Sequence, residues 1–376
     1  MAGIYIHIPY CEQACHYCDF HFSTSLQNMD KMHAAICQEI ALRKPYLQGE
    51  NIETIYFGGG TPSLFSSAQL AKVLKSVIDN FEVSENAEIT LEANPDDLTL
   101  EKLKELKQIG INRLSIGIQS FDEDRLKFLN RSHNAKEALD CVKNARSAGF
   151  ENLTVDLIYA IPPESMSYWE SDLNKAIELD VPHISLYGLT IEERTVFGNW
   201  KSKGKLQETS EDIAADQYRL AIETLTNKGY DHYEVSNFAK PGFRSRHNSA
   251  YWSGTMYLGI GPGAHSFNGT NRSYNVRNNA SYITSLSKGE IPETLETLTS
   301  IQRMNEYILI RLRTCEGLDS DVFKLRFGHD LFSDKTAELE QFTNQGLIYS
   351  NKHTIALTTD GFMVADQIAL GLFYEE

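Results

Sequence analysis

The sequence predicts an α/β fold, a partial (β/α)6 TIM-like barrel followed by a small C-terminal winged-helix-like domain. Short apolar strand patterns alternate with amphipathic helix patterns through the first 240 residues. Such alternation is typical of parallel sheets with right-handed crossovers. Six strand–helix units, rather than the eight of a closed barrel, favour a partial barrel. An open doubly wound sheet is the alternative, because periodicity does not show whether a sheet curls.

The strand patterns are short runs of apolar residues at 3–8, 54–57, 88–91, 112–117, 153–158, 183–187 and 231–235. The helix patterns between them place apolar side chains at i, i+3 and i+4, which marks one buried face. Asp30, Thr99, Asn134 and Ser167 are the predicted N-terminal capping or opening residues. Glycines just after several of these patterns predict where the helices end.

Composition divides the chain into three predicted parts. Residues 1–235 form the barrel, 236–297 form an irregular extension with HNSAYW and a glycine-rich loop, and 298–376 form the winged-helix-like domain. Many winged helices bind DNA, but residues 298–376 hold 7 Lys and Arg against 12 Asp and Glu. This acidic balance favours a structural or partner-docking role.

The overall charge and the cysteine count restrict the class of protein. The 376 residues have a formal net charge of −16, which disfavours nucleic acid as a partner because phosphates are bound by clustered cations. No apolar run reaches the roughly 18 residues of a membrane span, and no secretory signal pattern opens the chain. Six cysteines are too few for a disulfide framework. We therefore expect a soluble, cytoplasmic protein.

The strongest chemical signal is Cys11-x3-Cys15-x2-Cys18, in a polar loop directly after the first strand. Three thiolates at this spacing can bind three irons of a [4Fe-4S] cluster and leave the fourth iron open to a chelating ligand. The alternatives are a structural zinc site with a nearby histidine, or three unligated thiols. The spacing favours the cluster, and the density of thiols disfavours the unligated alternative.

Polar residues also follow the ends of the next strands. GGGTP at 58–62 follows the second strand, while Glu92, Gln119 and Asp156 lie at or near the ends of the third, fourth and fifth. In a (β/α) barrel, functional residues collect at the carboxyl ends of the strands. The three glycines let the backbone approach a ligand and are predicted to present amide N–H groups to it. A tight strand-to-helix turn is the alternative for the glycines.

The motifs between about residues 4 and 270 resemble those of the radical S-adenosylmethionine (SAM) superfamily. In detail, IYIHIPYCEQACHYCDF, YFGGGTPS, LEANP, GIQSF and DLIYAIP resemble the oxygen-independent coproporphyrinogen III oxidase-like group. The resemblance implies a barrel of the radical SAM type, a [4Fe-4S] cluster and S-adenosyl-L-methionine. In this chemistry one electron cleaves a carbon–sulfur bond of SAM to give a 5′-deoxyadenosyl radical.

The resemblance also implies roles for individual residues. It implies Cys11, Cys15 and Cys18 as ligands of the cluster. The residues that it implies around SAM and the cluster are Tyr5, Tyr17, Gly59, Gly60, Thr61, Glu92, Gln119, Arg131 and Asp156.

Two departures separate the sequence from the oxidases themselves. The oxidases have a further cysteine two residues after the third ligand, where this sequence has Phe20, and an N-terminal arm before the strand that begins near Tyr5. Both features, together with HNSAYW at 247–252, resemble the HemW-type heme chaperones. This resemblance implies a protein that binds heme as cargo and passes it to an acceptor, with SAM cleavage left open. Oxidative decarboxylation of coproporphyrinogen III to protoporphyrinogen IX is the alternative.

The resemblance implies a heme site at His247, Asn248, Tyr251 and Trp252. Imidazole is a good axial ligand of heme iron, and aromatic rings offer flat surfaces to a porphyrin. The alternative is a structural histidine with packed aromatic neighbours. The expected partners are heme, an acceptor protein for which a membrane-associated complex is one candidate, and a second copy of the chain in a homodimer.

Overall fold

The computed structural model describes residues 1–375. Its strands are β1 Ala2–Ile8, β2 Ile52–Gly59, β3 Val83–Ala93, β4 Arg113–Gln119, β5 Asn152–Tyr159, β6 His183–Gly188, β7 Asp231–Glu234, β8 Asn237–Ala239, β9 Met256–Ile260, β10 His265–Phe267, β11 Arg272–Asn275, β12 Glu293–Glu296, β13 Leu318–Asp319, β14 Ile348–Ser350 and β15 Thr354–Leu357.

The helices are α1 Met29–Leu42, α2 Ser67–Asn80, α3 Leu100–Gln108, α4 Glu123–Phe128, α5 Ala135–Ser147, α6 Met166–Glu178, α7 Val196–Ser202, α8 Glu211–Asn227, α9 Arg246–Trp252, α10 Asn279–Ser287, α11 Ser300–Leu312, α12 Ser320–Phe327, α13 Leu331–Asp334, α14 Thr336–Asn344, α15 Thr359–Met363 and α16 Ala365–Gly371. No helix within residues 1–375 combines the length and the hydropathy needed to cross a bilayer.

The main sheet confirms the predicted α/β fold class. Its twelve strands run in the order β12-β11-β10-β9-β1-β2-β3-β4-β5-β6-β8-β7. Strands β1 to β6 are mutually parallel neighbours in chain order. Their helices pack an apolar core against the sheet; in α1, for example, Met32, Ile36 and Ile40 are buried. The six parallel strands form the arc of a partial barrel, and β7 and β12 are the edge strands of the whole sheet.

Helix ends test the predicted capping residues. Thr99 caps α3 and Asn134 caps α5, each accepting a hydrogen bond from the first turn, as predicted. Asp30 and Ser167 are wrong as caps, because α1 and α6 each begin one residue earlier. Asp30 instead places a negative charge in the first turn of α1, where it interacts favourably with the positive end of the helix dipole.

The segment 236–297 is not irregular, contrary to expectation. It contributes strands on both sides of the parallel arc: β8 pairs antiparallel with β6, and β9 pairs parallel with β1. The seventh predicted strand, β7, pairs antiparallel with β8 and so is not part of the parallel series. These strands have three to five residues each, too few for a clear alternating pattern between glycine-rich turns. The three predicted domain boundaries stay predictions.

The C-terminal part confirms the winged-helix outline. Its three strands pair antiparallel in the order β13-β15-β14, and helices α11 to α16 surround them. The backbone N–H of Val235 donates to the carbonyl of Arg313 at 2.9 Å, and that of Cys315 donates to Tyr233 at 3.0 Å. This part is therefore bonded through its backbone to the end of β7.

A buried carboxylate holds the glycine-rich loop 259–263 against α1. Glu39 is fully buried and accepts hydrogen bonds from the Gly261 N–H at 2.9 Å, from the Asn275 amide at 2.7 Å and from the Tyr282 hydroxyl. Arg43 is the first residue after α1, and its Nε lies 3.4 Å from Glu39 Oε1. Burial raises the pKa of Glu39, and these donors oppose the shift. One side chain thus joins α1, β11, α10 and the loop.

Replacing Glu39 with alanine is expected to lower the free energy of unfolding by about 3 kcal/mol, because the buried Arg43 loses one of its two carboxylate partners and the Gly261, Asn275 and Tyr282 donors lose an acceptor. Urea denaturation followed by circular dichroism measures the change. Gln38→Ala, at an exposed position beside it, is the control and should change little. Equal stability of Glu39→Ala and Gln38→Ala would contradict this account of the network.

Candidate cluster and cofactor site

A cavity of about 390 Å³ lies at the carboxyl ends of the parallel strands. The loop after β1 and the ends of β2 to β6 surround it, because parallel strands all end at the same edge of the sheet. Of the predicted cluster and SAM residues, those that line this cavity are Cys11, Cys15, Cys18, Tyr17, Gly59, Gly60, Thr61, Glu92, Gln119, Arg131 and Asp156. Tyr5 is the exception.

The three cysteines of the loop after β1 face this one cavity. Their thiols are half-buried, and burial raises the pKa of Cys11 and raises that of Cys18 to about 11. Within residues 1–375, no three His, Cys, Asp or Glu side chains lie close enough together for a single metal ion. The ligands of a four-iron cluster stand further apart than those of one ion, since each thiolate binds a different iron.

Arg131 places a partly buried positive charge beside the cysteines. Its Nη1 lies 3.2 Å from Cys15 Sγ and 3.4 Å from the Tyr17 hydroxyl, while Nη2 donates to Asn94 Oδ1 and to the Gly117 carbonyl at 2.7 Å each. Its Nε is buried without a hydrogen-bond partner among the described residues. Three thiols beside a partly buried guanidinium with unused hydrogen-bonding capacity fit an anionic [4Fe-4S] cluster with SAM beside it.

Two partly buried carboxylates lie on the cavity wall. Glu92 accepts a hydrogen bond from the Tyr56 hydroxyl at 2.7 Å and one from the Gly59 N–H at 3.2 Å. Burial raises its pKa to about 7, and the nearby Asp156 adds to the shift. Burial also raises the pKa of Asp156 to about 6, although Ser115 donates to it. The negative charge of this wall is stabilised when a cation lies beside it. SAM supplies such a cation, because it is a sulfonium that also bears an ammonium group.

The glycine turn after β2 serves close packing rather than amide donation. Two of the glycine N–H groups expected to face a ligand are already used: Gly60 donates to the Ile8 carbonyl at 2.9 Å and Gly59 to Glu92 at 3.2 Å. The next residue, Thr61, donates to the Tyr10 carbonyl at 2.6 Å. A Cβ at Gly60 would lie 2.5 Å from the Tyr10 carbonyl oxygen. Gly59 has a φ of +115°, a value that side chains disfavour. The expectation of free amides is wrong for these positions.

Tyr5 lies beside the cavity rather than on its wall. Its hydroxyl is 3.2 Å from His7 Nδ1, and its ring stacks on Tyr56 with centroids 6.0 Å apart. Since the Tyr56 hydroxyl donates to Glu92, Tyr5 supports the residue that orients a cavity carboxylate. Its predicted direct contact with SAM stays a prediction.

The structure does not bring His247 to the cavity. The imidazole is 2% exposed, with Nδ1 at 2.7 Å from Thr54 Oγ1 and Nε2 at 3.0 Å from the Tyr251 hydroxyl. It stacks on Tyr56 at 4.9 Å, inside the barrel. Burial lowers its pKa to about 3, so the ring is neutral. Both nitrogens have partners in this arrangement, and heme binding by His247 stays a prediction.

The other residues of the predicted heme site lie along the same helix, α9. Asn248, Tyr251 and Trp252 are half-buried. Trp252 faces the C-terminal part, where Arg311 Nη1 donates to its carbonyl at 3.4 Å and the Arg313 guanidinium lies 5.9 Å from its ring. HNSAYW thus connects the barrel interior to the C-terminal part.

Sequence reasoning missed several cavity residues. The missed positions are Gln13, Phe20, Ala93, Asn94, Ser115, Gly117, Ile158 and the run 187–190. Most of them lie at strand ends, so applying the strand-end rule to β6 as well as to the earlier strands would have found residues 187–190. Phe20 gave no chemical signal apart from its place two residues after Cys18.

Comparison with known proteins gives two matching family models. The radical SAM superfamily model matches residues 5–176, and the HemN C-terminal domain model matches residues 298–364. The chain is 35% identical to the heme chaperone HemW of Bacillus subtilis over 100% of both chains. It is 36% identical to HemW of Lactococcus lactis over 97% of this chain and 95% of the relative.

Among solved structures, coproporphyrinogen III oxidase (HemN) from Escherichia coli superposes with a TM-score of 0.84. The superposition covers 99% of this chain and 90% of the other at 24% identity. At this identity the likeness shows a shared fold alone.

Replacing Arg131 with methionine should weaken iron binding. The change removes a charge-assisted hydrogen bond to Cys15, and such bonds contribute about 1.5–3 kcal/mol. Iron per chain after anaerobic reconstitution and a chelator challenge measures the effect. Lys127→Met, which removes an exposed cation from the neighbouring helix α4, is the control. Equal iron retention in the two variants would contradict the role given to Arg131.

SAM affinity should fall as the pH is lowered from about 8 to about 6. The pKa values of Glu92 and Asp156 are raised to about 7 and about 6, so both are mostly ionised at pH 8, whereas at pH 6 Glu92 is mostly protonated and Asp156 is about half protonated. Protonation removes the negative charge that favours a cation, at a limiting slope of about tenfold per pH unit for each group. Calorimetric titration of the reconstituted protein measures this.

Two comparisons test the assignment of that pH dependence. Glu92→Gln should bind SAM more weakly at pH 8 and show a flatter pH profile. S-adenosylhomocysteine, which lacks the sulfonium charge, should show a smaller pH dependence with the wild-type chain. A wild-type SAM affinity that is constant between pH 6 and 8 would rule out these carboxylates as the cation-binding groups.

Proposed function

The chain belongs to the HemW family of the radical SAM superfamily, and from that premise we propose that it binds heme and transfers it to an acceptor protein. The observation that supports this is the 35% identity to a heme chaperone over the whole of both chains. The match includes the barrel and the C-terminal part, so the likeness is not limited to a shared cofactor domain.

The cavity supports a resident [4Fe-4S] cluster and SAM in this proposal. When bound, the two supply one-electron chemistry at the carbon–sulfur bond of SAM. Cys11, Cys15 and Cys18 would hold the cluster, and Arg131, which lies beside Cys15, would stabilise its negative charge. Glu92 and Asp156 line the same cavity and favour the cationic ligand.

The alternative function is oxygen-independent coproporphyrinogen III oxidation. Its support is the HemN-like fold, which does not by itself specify an activity. Phe20 stands where the oxidases that the sequence resembles have a cysteine, and its side chain is 72% exposed at the mouth of the cavity. We propose that this oxidase activity is absent and that SAM serves heme assembly or transfer.

We place the protein in the cytoplasm. All six cysteines, which lie within the described residues, have free thiols, as a reducing compartment favours. The acceptor is a protein, with a membrane-associated heme protein as one candidate. The net charge of −16 argues against nucleic acid. A homodimer is the proposed oligomer.

Titration of the anaerobically reconstituted chain with hemin should give a saturable Soret change near one heme per chain. In the same preparation, coproporphyrinogen III with SAM and a reductant should yield no protoporphyrinogen IX. A coproporphyrinogen oxidase assayed in parallel confirms that the reagents are active. Product formation by the chain would favour the oxidase, and the absence of saturable hemin binding would reject the chaperone.

A further inference from the structure

A second depression borders the cysteine loop beside the cavity. It is an open groove of about 350 Å³, and Cys15 and Cys18 line it as well as the cavity. Phe20, which borders both spaces, forms a shared wall. We call this depression the outer groove; its further side chains include Phe22, Arg194 and Arg277.

Two guanidinium groups in the outer groove face no carboxylate partner. Within residues 1–375, Arg194 makes neither an ion pair nor a side-chain hydrogen bond, and Arg277 donates only to the backbone carbonyl of Asp19. Arg244 and Arg246, by contrast, pair with carboxylates 2.6 Å away. Asp19 provides the one carboxylate in the lining. In a chain of net charge −16, two such cations in one groove indicate an anionic ligand.

Two aromatic side chains contribute apolar surface to the mostly polar lining of the groove. Phe20 is 72% exposed, which is unusual for a phenylalanine, and Phe22 is half-buried beside it. Exposed aromatic rings that line a concave surface are typical of sites that bind a flat apolar ligand. A ligand that uses both features is flat, apolar over its faces and anionic at its edge.

An imidazole in the groove has one nitrogen available. His21 lines the groove, and its Nε2 lies 2.7 Å from Asn279 Oδ1, which is an acceptor only. Nε2 therefore bears the proton, and Nδ1 has the lone pair. Among the described residues Nδ1 makes no hydrogen bond. A neutral imidazole with a free lone pair is the form that ligates heme iron.

We propose that heme binds in the outer groove, with its propionates at Arg194 and Arg277, its macrocycle against Phe20 and Phe22, and His21 as the axial ligand. This rests on the proposed heme-binding function and gives that function a location. Heme has the three features that the groove matches: two carboxylates, a flat apolar body and an iron that accepts an imidazole nitrogen. The location places the cargo next to the SAM cavity, with Cys15, Cys18 and Phe20 lining both spaces.

Hemin titration of the reconstituted holoprotein, followed by Soret absorption, tests the location. Arg194→Ala and Arg277→Ala should each weaken hemin binding about tenfold, the loss expected for one charge-assisted hydrogen bond. Hemin dimethyl ester, which has no propionate charge, should bind the wild type and both variants alike. His21→Ala should shift the Soret maximum. Arg194→Lys and Arg277→Lys, which keep the positive charge, should retain most of the affinity that the corresponding alanine variants lose.

Controls separate this proposal from the proposed function. Arg194 makes no ion pair or side-chain hydrogen bond within residues 1–375, so Arg194→Ala should retain the cluster absorption and the SAM affinity of the wild type. Arg244→Ala and Arg246→Ala should bind hemin as the wild type does. If the wild type binds hemin but neither groove variant weakens it, the groove is wrong and the chaperone function stands. If the affinity falls instead in Arg244→Ala, Arg246→Ala or His247→Ala, heme binds at HNSAYW. If the wild type does not bind hemin, the proposed function itself fails.

Discussion

The site depends on one constraint: six neighbouring strands run parallel and therefore end at the same edge. This shared direction brings Cys11, in the loop after β1, to the same cavity as Glu92 and Asp156, which are far away in sequence. The glycine turn packs closely against Tyr10, just after the first strand, and this contact fixes the position of the cysteine loop. Because a Cβ at Gly60 would meet the Tyr10 backbone at 2.5 Å, a larger residue there would displace the loop and with it the thiols.

The barrel interior beneath the cavity is polar, and its hydrogen bonds connect distant parts of the chain. His247 stacks on Tyr56, and the Tyr56 hydroxyl donates to Glu92 on the cavity wall. Glu88 accepts hydrogen bonds from the backbone of Arg246 and His247 at the start of α9 and lies 3.9 Å from the buried Arg113. A buried polar group is costly without partners, so this network ties the HNSAYW helix to the geometry of the SAM cavity.

How far the sequence predicts the structure depends on the range of each interaction. The parallel strands and the polar strand ends follow from local periodicity. The eleven predicted cluster and SAM residues that meet in one cavity come from those strand ends and from the family resemblance. The strands of 236–297 are too short for the periodicity signal, and the glycine amides are used by contacts that no local pattern shows. The outer groove joins Phe20 to Arg194 and Arg277, which are more than 170 residues away in sequence, so only the fold reveals it.

The central claim is that Cys11, Cys15 and Cys18, together with the polar strand ends, form one site for a cluster with an open iron and for SAM. Mössbauer spectroscopy of the chain reconstituted with iron-57, before and after addition of SAM, tests this claim most directly. The account predicts a [4Fe-4S] spectrum in which one iron of the four changes on adding SAM. A zinc-containing protein without iron, or four irons that do not respond to SAM, would contradict it.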